Sequence, residues 1–82
     1  MQEAEIRIRV RALVATGQLP CDEAETLWAG RGDGKLCVAC REPIEPSEVE
    51  YEVDLPGGVT IRLHRACHAI WEQECAEPAP GR

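Results

Sequence analysis

Over residues 2–16 the apolar positions Ile6, Val10, Leu13 and Val14 recur at helical spacing, with Arg7 and Arg11 four apart beside them. Ile8 interrupts the stripe, and Ile6, Ile8 and Val10 also fit a period of two, but the Ala-Leu-Val-Ala run at 12–15 favours a helix. Gly17 suits the left-handed position beyond a helix end and Pro20 blocks continuation, so the pattern predicts an amphipathic helix that stops near residue 17. Further along, the period changes. Val49, Tyr51 and Val53 alternate with Glu48, Glu50, Glu52 and Asp54; after Leu-Pro-Gly-Gly at 55–58, Val59, Ile61 and Leu63 alternate with Thr60, Arg62 and His64. This predicts a β-hairpin with one apolar and one acidic face. A last helix is predicted from about His64 to Cys75 or Ala76, ended by Pro78 and Pro80, with Cys67, Ile70, Trp71 and Glu74 on adjoining faces.

Residues 19–34 read as a connector. Asp22 is placed to cap a short helical turn through Thr26 and Trp28, but Gly-Arg-Gly-Asp-Gly at 30–34 follows, a permissive backbone with little structure of its own. The glycines invite a phosphate-loop reading, yet the Gly-Lys-Ser/Thr ending and a preceding strand are missing. They are better read as letting the chain turn closely around residues that begin at 37. The organisation expected is therefore a helix over 1–18, a connector over 19–34, a folded unit over 35–76 and a flexible tail over 77–82, together a small α+β domain.

A chain of 82 residues forms one domain, and at this size folding buries only about 60% of the surface the unfolded chain exposes. Phe is absent and the aromatics are Trp28, Tyr51 and Trp71, so the core needs a staple. The net charge of −6 is the wrong sign for tracking phosphate backbones without sequence preference. Arg7, Arg9 and Arg11 form the one basic cluster, with Glu3 and Glu5 beside them. Cysteine is present in an odd number, five, and residues 1–13 alternate charged with apolar side chains and lack a secretory apolar core, so a reducing cytoplasm is expected. No run approaches the roughly eighteen apolar residues of a membrane span.

The chemistry lies in two pairs, Cys37-x2-Cys40 and, farther on, His64-x2-Cys67. Zinc takes thiolate and imidazole ligands tetrahedrally, and two short-spaced pairs brought together by folding supply four donors for one structural ion. Such a site forms only when the chain folds, and its apparent binding free energy of roughly 10–16 kcal/mol covers what a thin core lacks. Residues 36–44 have the form of a zinc knuckle, a turn whose backbone amides point at the sulfurs. Cys37, Cys40, His64 and Cys67 are the expected ligands. His68, four residues from His64 on the same helical face, is the alternative imidazole, and otherwise a partly exposed helix residue or a donor to the ligands. Cys21 and Cys75 have no partner at metal-binding spacing and read as small buried or edge residues. Four protein donors leave no open position, so no catalytic residue and no small-molecule substrate is expected.

Knuckle, hairpin, then a helix whose first turn carries the second ligand pair is the order of a treble-clef zinc finger. The set Cys37, Cys40, His64 and Cys67, within about 34–74, resembles the first finger of LIM domains and, more loosely, the zinc fingers of poly(ADP-ribose) polymerase type. LIM domains carry a second finger directly after the first, whereas here only His68 and Cys75 follow. The whole chain is also similar to small uncharacterised bacterial zinc-finger proteins, from which no function carries over. The expected role is a zinc-binding protein-interaction module, its N-terminal helix buried on the finger or against a second copy. The alternative is a nucleic-acid-binding regulator using Arg7, Arg9, Arg11, Arg31, Lys35, Arg41 and Arg65. Trp71 reads as core. Trp28 reads as a clamp on the N-terminal helix or part of a partner surface, and the acidic strand face as solvated or as a receiver of a basic protein surface.

Overall fold

The computed structural model describes residues 2–21 and 26–76. The expected cap at Asp22 and the tail at 77–82, with its two prolines, lie outside these. Five elements follow one another: α1 (Glu3–Ala15), β1 (Thr26–Arg31), β2 (Val49–Leu55), β3 (Val59–His64) and α2 (Arg65–Ala76). Helix α1 ends as its sequence predicts. Gly17 takes φ 82°, and the amides of Gly17 and Gln18 donate to the carbonyls of Val14 and Leu13, satisfying the last turn.

The three strands form one antiparallel sheet in the order β1-β2-β3. Between β2 and β3 the chain reverses through Gly57 and Gly58, both at positive φ, where glycine avoids the steric penalty of a side chain. The register sets Tyr51 opposite Leu63 and Val53 opposite Ile61 on one face, and Glu52 opposite Arg62 and Glu50 opposite His64 on the other. Helix α2 covers the apolar face of β2 and β3 with Ile70 and Trp71, and α1 packs on α2. The core joins Val10 and Leu19 to Ile44, Val53, Leu55, Ile61, Leu63, Ile70, Trp71 and the three cysteines Cys37, Cys40 and Cys67.

Within the expected connector, Thr26–Arg31 forms strand β1 in place of the expected helical turn through Thr26 and Trp28. Five of its six residues are exposed, so burial has left no alternation in the sequence to read; the strand exists because its backbone pairs with β2 along its full length, from Thr26 opposite Asp54 to Arg31 opposite Val49. A second departure concerns Cys21 and Cys75. They are joined in a disulfide with Cα atoms 5.4 Å apart, tying the approach to β1 to the end of α2. The five cysteines thus divide into three free thiols and one bonded pair, and the odd count no longer argues for a reducing compartment.

The stripe of α1 is seated within the chain: Val10 is fully buried and Ile6, Leu13 and Val14 pack against the core, while Ile8 faces solvent. Its arginines hold it there. Arg7 donates to Glu74 and Gln73, each at 2.9 Å, Arg11 to Glu74 at 2.7 Å, and Arg9 to the Ala39 carbonyl at 2.8 Å. Both guanidiniums hold the Glu74 carboxyl below its ordinary range, Arg11 foremost.

Candidate metal centre

The knuckle is built by backbone hydrogen bonds. Cys37 N–H donates to the Glu42 carbonyl and Arg41 N–H to the Cys37 carbonyl, both at 2.9 Å, and Leu36 bridges to Pro43. Reversing the chain this sharply puts Arg41 at φ 68°, a left-handed conformation uncommon outside glycine. Val38 N–H donates to the Arg62 carbonyl at 2.9 Å and docks the knuckle on β3, beside the strand end that presents His64. Cys67 follows in the first turn of α2.

These elements bring Cys37, Cys40, His64 and Cys67 together, with one ligand atom of each lying within 4.8 Å of the others. Donors about 2.0–2.3 Å from a tetrahedral ion stand roughly 3.5 Å from one another, so the four are arranged to hold a metal. All three sulfurs are buried, and the His64 side chain is only 16% exposed. His64 Nδ1 faces Cys40 Sγ at 3.3 Å, while Nε2 faces the Pro43 carbonyl at 3.2 Å and Glu48 at 3.4 Å. A proton on Nε2 donated to that carbonyl leaves the Nδ1 lone pair for the metal; this is how an outer partner fixes the tautomer of a ligating histidine.

Backbone amides do point at sulfur, as the knuckle pattern predicts. His64 N–H donates to Cys37 Sγ at 3.5 Å, and Cys40 N–H to the same sulfur. The Cys37 thiol is pushed down to about 4, first by the hydrogen bond from Cys67 and then, against burial, by these amides. Donating that bond pushes Cys67 up, and burial pushes Cys40 up. Crowding three sulfurs together makes it costly to ionise all of them, and a bound divalent ion offsets that cost. For His64 burial opposes the charged ring, but the Cys37 sulfur more than offsets it and the net shift is upward. A cleft of about 470 Å³ lies beside Cys40, His64 and Cys67 and is lined also by Ile6, Pro43 and Val49.

His68 is not among the four. It is buried, not partly exposed, with its ring edge-on to Tyr51 at 4.8 Å and to Trp71 at 5.9 Å, and burial lowers its pKa. The reason is rotational: β3 ends at His64, α2 begins at Arg65, and four residues on His68 points at the apolar face of the sheet, away from the sulfurs. Two features escaped the sequence, β1 and the Cys21–Cys75 bond. The second had a signal, since three metal thiols subtracted from five cysteines leave a pair.

Comparisons with protein-family models, with curated proteins and with solved structures return no match. The resemblance to LIM-type fingers therefore rests on ligand spacing and element order alone. Among the described residues, no helix is long and apolar enough to cross a membrane.

Proposed function

We propose that this chain is a zinc-binding protein-interaction module of treble-clef type, its single zinc held by Cys37, Cys40, His64 and Cys67 and serving only to hold the fold. The observation that carries this reading is a buried Cys₃His cluster with its imidazole already oriented by the Pro43 carbonyl. Soft sulfur donors in a tetrahedral array favour zinc among the abundant divalent ions. Four protein ligands leave no position for a substrate or an activated water, so the metal's part is structural.

The arginines of α1 count against the nucleic-acid alternative, because Arg7, Arg9 and Arg11 are engaged within the domain and Lys35 pairs with Asp33 at 2.7 Å. The test is elemental analysis of protein purified without added metal. We expect one zinc per chain in the parent and in His68→Phe, and loss of the metal with cooperative unfolding in Cys67→Ala. Retention of zinc by Cys67→Ala, or a metal-free parent that melts cooperatively, would overturn the reading.

A further inference from the structure

Strand β1 is the outer strand of the sheet. One side pairs with β2, and the other meets no strand among the described residues. Sheet edges are ordinarily blunted by proline, lysine, a bulge or a covering element, because free N–H and C=O groups recruit another strand. Thr26-Leu-Trp-Ala-Gly-Arg31 has none of the first three, and within the sheet α2 contacts β2 and β3 and not β1.

The side chains at this edge are not those of an inert rim. Leu27 is 49% exposed on the face shared with Val53 and Ile61, and Trp28 is 60% exposed on the opposite face. On that second face Thr26, Trp28 and Gly30 stand opposite Asp54, Glu52 and Glu50; among the described residues Arg62, 3.4–3.7 Å from Glu52 and Glu50, offsets them from within the sheet and Lys35 offsets Glu50 from outside it, while the Thr60 hydroxyl donates to Asp54 at 2.8 Å. Glu50 Oε1 is buried with no hydrogen-bond partner among the described residues. Across the pair from Glu50 stands Gly30, where a Cβ would meet nothing within 4 Å; next to Trp28 the strand therefore has a notch leading toward an acidic row.

We propose that the free edge of β1 docks an extended segment of another protein in which basic and apolar residues alternate, adding a fourth strand to the sheet. Main-chain pairing supplies the affinity and alternate side chains the specificity in such strand addition. On one face an apolar residue of the guest packs on Leu27. On the other a lysine or arginine lies across the Gly30 notch with its stem on the Trp28 ring and its charge toward Glu50 and Glu52, a cation–π and ion-pair arrangement. Charge selects this occupant over a second copy, since pairing β1 with itself brings two such acidic faces together in chains of net charge −6. The inference rests on the protein-interaction reading and is independent of which metal fills the cluster.

The test uses the whole 82-residue chain, metal-loaded, and a short acetylated peptide of alternating Lys and Val, with a Glu–Val peptide as control, followed by amide NMR. The expected result is saturable binding of the Lys peptide alone, shifts concentrated at Thr26–Arg31, and slowed exchange of β1 amides. Gly30→Val fills the notch with a strand-favouring residue, so it should melt no lower than the parent yet bind about tenfold more weakly; Trp28→Ala should lose as much. Equal binding of the Glu peptide, no binding, or concentration-dependent self-association through β1 would overturn the proposal. Saturable binding with shifts elsewhere would remove the β1 site and leave the interaction reading standing.

Discussion

Gly32 lies against the backbone of residues 44–45 so closely that a Cβ there would run into the carbonyl oxygens of Ile44 and Glu45. Its own amide donates to Glu48 at 3.0 Å, so the segment cannot swing aside without losing that bond. Gly32→Ala is expected to lower stability by about 1–3 kcal/mol or more, as overpacking does, whereas Gly30→Ala should be close to neutral; urea unfolding of both checks this. That glycines brace the knuckle was legible from their position before Cys37, but which one makes the close approach was not, because the partner carbonyls are some dozen residues away. His68 makes a second point at this scale. Burial disfavours its charged ring and outweighs the opposing pull of Glu72, so its folded pKa lies below the ordinary 6.5. As pH falls below about 6.5 the unfolded chain binds a proton that the folded chain resists, and stability declines with acidification until the lowered value is passed. His68→Phe lacks this term: its melting temperature relative to the parent, both zinc-loaded, should rise between about pH 7.5 and pH 6. A difference that does not change over that interval would count against the buried neutral ring. The sequence put His64 and His68 on one helical face, and only the exact start of α2 separates ligand from packing residue.

At the scale of elements, α1 and the β2–β3 hairpin could be read from periodicity because each buries one face and exposes the other. Val10 and Ile8 mark the two sides of α1. Truncating the fully buried Val10 to Ala should cost about 1–3 kcal/mol and lower the melting temperature by several degrees, while Ile8→Ala should leave the curve in place. Calorimetry of the pair checks whether the helix is seated as described. Strand β1 was illegible for the converse reason. Its side chains are mostly exposed, its two large apolar residues are neighbours in sequence and so point to opposite faces, and its glycine argues for a loop. What makes it a strand is the register with β2, a long-range pairing that no local pattern announces. The arginines of α1 likewise looked like a free basic cluster until Glu74 and the Ala39 carbonyl came into reach.

For the whole molecule the thin core is tied by the Cys21–Cys75 bond and lies against a Cys₃His cluster arranged to hold a metal ion. A bond spanning 54 residues stabilises by up to about 4 kcal/mol in the chain-entropy account. The two should respond separately. A mild reductant in the presence of zinc should lower the melting temperature without releasing metal, whereas a chelator under oxidising conditions should unfold the finger with the disulfide intact; metal release measured beside circular dichroism separates the two losses. The cluster was legible because metal ligands come in short-spaced pairs, whereas the disulfide joins residues that only the packing of α2 brings side by side. That bond also sets how the polypeptide carries tension. A pull on the two chain ends reaches Cys21 and passes through sulfur directly to Cys75, so the sheet, the knuckle and the metal cluster lie off the line of load. Only α1 with the segment leading to Cys21, and the residues that follow Cys75, can be drawn out before a covalent bond must break, which makes the chain between those two sulfurs inextensible for as long as they stay joined.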